Sequence, residues 1–351
     1  MNRHEIWFIA LKISNLSKIK LIEKYNNEEN IYNNIDNIIN DKLLYKNFLA
    51  RLSEKNSIEE EKLEEYLFKN NIKYVTYSSN NYPKKLRNIT NPPYVLFYKG
   101  DIELFDYNMA AVVGSRKNTT YGEQVTKLIA SELYNLSYGV VSGVAAGIDS
   151  IAHKEILKKN GKTIGVLGCG IDVVYPKYNK PLYEEISEKG LLISEFLPST
   201  KPLPYNFPQR NRIVSGLSNG VIVVEASDKS GSLITVDYAI SQSRDVIVVP
   251  GSIFNQNSKG CNLLIYQGAR PFLEKDDLCE FLNVIKKDIK NNAKNSIKKC
   301  LLDVIGREPI HIDKIMERLN IDRIALFELL FEMQNENEII CLPGNYYAKI
   351  S

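Results

Sequence analysis

Chemistry in this chain concentrates where apolar runs end. Gly114, Ser115 and Arg116 directly follow the run 110–113, and Ser142 and Gly143 follow the run 139–141. Glycine lets a ligand approach the backbone, the serines carry hydroxyl donors, and arginine offers a planar cation matched to phosphate oxygens. Taken alone, G-S-R is equally an ordinary strand-to-helix turn with a solvated arginine, because a fold does not set a function. Two common nucleotide motifs do not occur. V-V-G-S-R-K-N-T-T lacks G-x-G-x-x-G, there is no G-x-x-x-x-G-K-[ST], and Gly168-Cys169-Gly170 lacks its third glycine.

Three further stretches are expected to meet at the same place: 170–177, 201–212 and 230–235. Lys177, Lys201, Arg210 and Arg212 are interleaved there with Tyr175, Tyr205 and Phe207. Single-stranded nucleic acid wants that combination, cations for phosphates and aromatic faces for bases. The competing reading packs Tyr175 and Phe207 in the core and lets Arg210 and Arg212 cap carbonyls or pair with Glu195 or Glu225. Arg212, followed directly by Ile213 and Val214, fits that structural role. Support for catalysis is thin. Asp149 and His153 stand one helical turn apart and read as a hydrogen bond or ion pair near a helix N-terminus. No cysteine or serine has a recognisable base beside it. Glu195 and Glu225, each just after a strand, remain as general-base candidates. No catalytic, metal or cofactor residues are expected.

These residues need a scaffold that brings loop ends together. Within 110–273, short apolar strands are expected at 110–113, 139–142, 163–167, 191–194, 220–224 and 245–249. Helices are expected between them, at 121–136, 147–159, 181–188, 209–216 and 232–243. That alternation is a doubly wound, mainly parallel α/β fold, whose post-strand loops share one sheet edge beside helix N-termini. Residues 1–71 carry apolar positions at helical spacing, with Asn dense over 26–47 and Lys and Glu over 51–69, and read as a small helical domain. Short strands at 72–77 and 94–98 flank a proline-rich lead-in, expected to stay extended. A Lys/Asn linker at 286–296 leads to helices near 297–305, 311–318 and 322–334 and a hairpin around Pro343-Gly344-Asn345. This tail is winged-helix-like. Its candidate recognition helix carries Glu328 and Glu332, with Glu336 just beyond, which favours protein over duplex DNA as its partner.

With 351 residues the chain has material for two or three domains. Its net charge is only +3, so an anionic partner must be met by a local patch. Five scattered cysteines without C-x-x-C and three dispersed histidines suggest neither disulfide framework nor metal site, which fits a reducing cytoplasm. The charged start is not expected to be a signal peptide, and no apolar run approaches the ~20 residues needed to span a bilayer.

The motifs together are specific. V-V-G-S-R, S-G-V-A-A-G-I-D-S-I-A-H, G-C-G-I-D-V-V-Y-P, I-S-E-F-L-P, N-F-P-Q-R-N-R-I-V-S-G-L-S, V-E-A-S-D-K-S-G-S-L-I-T, V-P-G-S-I and G-C-N-L-L-I-Y-Q-G-A occur in that order from about 75 to 275. In this the chain resembles the DNA-processing protein A (DprA/Smf) family. The flanks resemble the family's architecture more loosely: a SAM-like helical domain over 1–71, an extended Rossmann domain over 72–285, the linker, and a winged-helix-like domain over 297–351. The resemblance implies binding of single-stranded DNA, loading of RecA recombinase during natural transformation (competence) and DNA recombination, and displacement of single-strand binding protein. It also implies a homodimer, no established enzymatic activity and no cofactor. Carried over by position, it assigns DNA contacts to Gly114, Ser115, Arg116, Lys177, Phe207 as base-stacker, Arg210 and Asn211, while Ser142 and Gly143 are expected contacts from their own place at the end of a strand. A lysine that some members carry three residues before the phenylalanine is Pro204 here, and Lys201 is its expected substitute. The dimer and RecA-contacting surface would fall near 237–242 and 261–272.

Two other classes compete. Phosphoribohydrolases of related fold carry G-G-x-G-T-x-x-E at the loop that reads S-G-S-L-I-T-V-D-Y here, where Tyr238 replaces the required glutamate. A transcription factor would need a more basic recognition helix.

Overall fold

A computed structural model describes residues 2–35, 38, 58–284, 297–306, 308–319, 321–336 and 338–350. The linker expected over 286–296 lies outside the described residues, as do parts of the stretches 26–47 and 51–69. Residues 1–282 form one compact unit and residues 283–351 a second.

The first unit opens with α1 (Arg3–Ala10), α2 (Asn15–Tyr25), α3 (Glu28–Asn33) and α4 (Ile58–Lys69). Asn2, Ser14 and Asn27 cap the first three, each side chain accepting a backbone N–H of the first turn. β1 (Lys73–Thr76), α5 (Lys84–Arg87) and β2 (Val95–Gly100) follow. The proline-rich lead-in is thus not extended throughout. Pro83 stands at the N-cap of α5, where a missing N–H removes no helical hydrogen bond.

Strand and helix then alternate: β3 (Met109–Val113), α6 (Thr120–Asn135), β4 (Gly139–Ser142), α7 (Ile148–Lys158), β5 (Thr163–Val166), α8 (Lys180–Lys189), β6 (Leu191–Ser194), α9 (Asn206–Leu217), β7 (Gly220–Val223), α10 (Gly231–Ser241), β8 (Asp245–Val248), α11 (Lys259–Tyr266), β9 (Arg270–Pro271) and α12 (Asp277–Phe281). Nine strands form one sheet in the order β1-β2-β6-β5-β4-β3-β7-β8-β9. From β6 to β9 neighbours are parallel, while β2 pairs antiparallel with both β1 and β6. Strands β3 to β7 are buried along their whole length, so they read as unbroken apolar runs. The pleat still sorts their sides: Leu192 joins one apolar cluster, Leu191 and Ile193 the other. The first cluster also holds Trp7, Phe8, Ile31 and Leu67. The N-terminal helices therefore share a core with the sheet.

The chain runs from β3 through β4 and β5 to β6 on one side, then returns to β7 on the other side of β3. The carboxyl ends of β3 and β7 flank the point where strand order reverses, which is where open α/β sheets leave a crevice.

The second unit contains α13 (297–304), β10 (Ile310–His311), α14 (Ile312–Leu319), α15 (Arg323–Asn335), β11 (Ile339–Leu342) and β12 (Tyr346–Lys349). Its small antiparallel sheet, ordered β10-β12-β11, gives a winged-helix-like arrangement around Leu301, Ile315, Leu326, Leu330 and Tyr347. Gly344 and Asn345 turn the three-residue loop between paired Leu342 and Tyr346 with φ of 83° and 59°, left-handed backbone that glycine and asparagine tolerate. No helix among the described residues is long and apolar enough to cross a membrane.

Candidate nucleic-acid interface

A cavity of about 320 Å³ opens in the crevice. Gly114, Ser115 and Arg116 reach it from β3, Gly143 and Asp149 from the β4–α7 junction, Pro204, Phe207, Arg210 and Asn211 from the start of α9, and Ser230, Gly231, Ser232 and Thr235 from the start of α10. Of the three further stretches expected to meet there, 201–212 and 230–235 line the cavity and 170–177 does not.

The post-β3 loop is seated on α7. Gly147 has φ of 76°, and a Cβ on it would strike the Ser115 carbonyl oxygen. That carbonyl accepts the Ile148 N–H at 3.2 Å. Arg116 therefore leaves a fixed backbone. Its guanidinium is exposed, with Cζ 5.3 Å from the centroid of the Phe207 ring, and no carboxylate among the described residues pairs with it.

Arg210 behaves oppositely. It is 3 % exposed, and its Nη1 donates to the Gly143 carbonyl at 2.7 Å and to the Val166 carbonyl. A Cβ on Gly143 would run into this guanidinium. Burial lowers the Arg210 pKa and raises that of Asp149, with each charge partly offsetting the other's shift. The Asp149 carboxylate accepts the Gly143 N–H at 3.1 Å, bracing the wall that Arg210 supports from the other end. Arg210 lines the cavity but spends Nη1 on two carbonyls, as the competing reading expected, and this strut ties the end of β4 to the end of β5. Sequence reading missed Asp149 as part of this wall. The available signal was a carboxylate in the first turn after a glycine-rich loop.

Ser142 is corrected. It is fully buried and donates to the Val112 carbonyl at 2.6 Å, so its hydroxyl faces β3 rather than a ligand. Asn211 lines the cavity and donates to the Gly231 carbonyl at 3.3 Å, linking the starts of α9 and α10. Lys177 and Lys201 are exposed and stand outside the cavity lining. Their loops are tied together instead: the Ser199 N–H donates to Asp172 Oδ1 at 2.8 Å, and Tyr66 of α4 donates to Asp172 Oδ2 at 2.7 Å. Tyr175 meets Phe207 with ring centroids 5.4 Å apart.

The catalytic candidates are occupied elsewhere. Glu225 accepts from the Thr119 N–H and hydroxyl, holding the entrance to α6. Glu195 forms a two-pronged ion pair with Arg212, both contacts 2.6 Å and both side chains buried. His153 bonds Thr163 at 2.6 Å rather than Asp149, and burial, reinforced by Arg210, pulls its pKa down to about 3. Burial pushes the Cys169 thiol up to about 11 and that of Cys261 to about 12, so neither is poised as a nucleophile.

Comparison with known proteins meets this geometry. The family model described as DNA recombination-mediator protein A matches residues 73–283. The chain belongs to the DNA recombination-mediator protein A family. The matched span runs from β1 past α12 and contains every residue lining the cavity. The DNA processing protein DprA of Streptococcus pneumoniae is 45 % identical over 201 residues, 57 % of this chain and 71 % of that protein. The X-ray structure of that organism's DprA superposes with a TM-score of 0.65 at 34 % identity, covering 80 % of this chain and 98 % of the other. DNA processing protein A from Helicobacter pylori, whose structure is described for its single-stranded DNA binding mode, gives 0.55 at 34 % identity, covering 62 % and 97 %. Membership places the chain among DNA-processing proteins.

Proposed function

We propose that this family member binds single-stranded DNA at the crevice and hands it to RecA recombinase in natural transformation, displacing single-strand binding protein. In this reading it works in the cytoplasm as a homodimer and without catalysis. The observation that carries it is Arg116: an exposed guanidinium, seated by Gly147 and Phe207 and free of any carboxylate among the described residues, at the switch point of the sheet. A cation so placed is held ready for a phosphate. Gly114, Ser115, Gly143, Asn211 and Phe207 surround it, with Lys177 and Lys201 on the tied loops alongside. Ser142 and Arg210 act as supports beneath. The single-stranded DNA binding described for the Helicobacter pylori relative supports the reading. Against hydrolysis stand Tyr238 at the glutamate position and the capture of Glu225 by Thr119.

The proposed dimer surface uses α10 and α11. Ile240 is 65 % exposed, Leu263 46 % and Tyr266 89 %, and both helices pack against β8. The four-part division of the chain at 71/72, 285/286 and 296/297 stands in this proposal as a division of roles.

Arg116→Ala tests the site. The variant is expected to keep its thermal midpoint and to lose affinity for oligo-dT, with the slope of log K against log salt shallower by ~0.7, the share of one phosphate contact on a single strand. An unchanged slope would take Arg116 out of the site. Addition of the protein to RecA and DNA coated with single-strand binding protein should then speed filament assembly, and no acceleration would remove the loader role.

A further inference from the structure

We propose that Asn179 is a positioning residue of the single-stranded DNA site: its carboxamide locks the turn that carries Lys177 to the strained loop 143–147 that walls the crevice. This rests on the reading of the crevice as that site and deepens it. Asn179 stands at the N-cap of α8, where an asparagine side chain ordinarily accepts an N–H of the helix's first turn. Here it makes no such bond. It is buried, and its Nδ2 donates across the fold, to the Val144 carbonyl at 3.0 Å and to Ser150 Oγ at 2.9 Å. The Ser150 hydroxyl passes the tie on to the Ala145 carbonyl.

The wall needs such a tie. Val144 has φ of 54°, a left-handed backbone that a β-branched residue rarely adopts. It is fully buried, and its side chain lies so close to Gly165 of β5 that a Cβ there would be 2.7 Å from Val144 Cγ2. Strained residues persist where their surroundings over-determine them, and they gather at ligand sites. On either side of Val144 stand Gly143 and Ala145, both lining the cavity. Arg210 and Asp149 hold Gly143, while Asn179 holds Val144 directly and Ala145 through Ser150. In the other direction, Asn179 closes the short turn 177–179 by donating its own N–H to the Pro176 carbonyl at 3.0 Å, and exposed Lys177 opens that turn. One carboxamide thus fixes a cation relative to a wall that the cation itself does not line. A cation held in place beforehand loses little freedom when a phosphate arrives.

The test uses the full chain and labelled oligo-dT over a series of salt concentrations, with folding checked by circular dichroism. Asn179→Ala is expected to lower affinity about tenfold and to make the slope of log K against log salt shallower by ~0.7, because Lys177 loses its fixed place and with it one phosphate contact. If that variant fails to fold, Asn179→Ser takes its place with the same expectation, since it leaves a smaller gap and its single hydroxyl donor cannot serve both acceptors. A residue that only supported the fold would lower the thermal midpoint and leave the slope alone. Val144→Gly adds a second readout. Glycine adopts φ of 54° without strain, so in that background the loss of the Asn179 carboxamide is expected to cost about threefold rather than about tenfold. An unchanged slope, or equal losses in the two backgrounds, would overturn the assignment while leaving the single-stranded DNA site standing. Failure of the wild-type protein to bind oligo-dT would overturn both.

Discussion

Arg116 and Arg210 line the cavity and Arg212 does not, and the three answer to different physics. Arg116 keeps its charge in solvent, whereas Arg210 gives its donors to the Gly143 and Val166 carbonyls and Arg212 gives its own to Glu195. Removing one partner of the buried pair leaves an uncompensated charge, so Glu195→Ala is expected to destabilise the protein by ~3–5 kcal/mol in urea denaturation. A loss under ~1 kcal/mol would mean that Arg212 finds water or another acceptor. His153 sets a pH dependence. Its pKa is about 3 in the folded protein, below the ordinary 6.5, so below 6.5 the unfolded chain binds the proton that the folded one refuses. Stability is then expected to fall as pH drops from about 6.5 towards 3, by up to ~1.4 kcal/mol per pH unit from this group. Asp149, raised by burial, opposes the loss at the acid end, because folded protein takes up its proton first. His153→Gln should flatten the profile between pH 6 and pH 5, and an unchanged profile would place the titrating group elsewhere. Sequence named all three arginines but could not rank them, because composition does not show which guanidinium has a carbonyl within reach. Only Arg212, followed by Ile213 and Val214, announced its burial.

At the scale of elements, the buried strands were the most legible part of the chain. AAVV, GVVS, TIGV, LLIS and GVIV lie within a residue or so of where apolar runs put them, because a strand covered on both faces has no polar positions to blur the pattern. The start of α9 was less legible. The helix opens at Asn206, three residues before the expected 209, because Pro208 sits in its first turn, where proline is tolerated. That shift turns Phe207 from a loop residue into a helical one with a fixed direction. α11 was not foreseen, since two of its five apolar residues, Leu263 and Tyr266, stay exposed and blur the helical pattern. The loop after β3 depends on α7 through Gly147. Gly147→Ala must adopt φ of 76° with a side chain and displace the Ser115 carbonyl, so it is expected to cost at least ~1 kcal/mol of stability and to weaken oligo-dT binding as Arg116 shifts. Wild-type binding in that variant would show that Arg116 is placed by Phe207 alone.

On the scale of the whole molecule, the strand order was beyond the sequence, since parallel neighbours are chosen by packing between segments far apart in the chain. The order found is what makes a site: because β7 returns beside β3, Arg116 faces the starts of α9 and α10 across one crevice. All the cavity residues belong to the unit 1–282. A chain ending at residue 282 is expected to fold and to keep its oligo-dT affinity within about threefold. A larger loss, with folding intact by circular dichroism, would give the C-terminal unit a share in DNA binding. If the proposed homodimer uses this face, Tyr266→Asp, which puts a charge on the exposed face of α11, shifts the protein towards monomer in sedimentation velocity, and no shift would take the proposed contact away from this face. The central claim is that the crevice is a site for a single strand. Fluorescence anisotropy of the full chain with labelled oligo-dT and with the matching duplex, each at two salt concentrations, tests it most directly. Tighter binding to the single strand, weakening steeply with salt, is the predicted result, and equal or tighter binding to the duplex, or no binding to either, would contradict it.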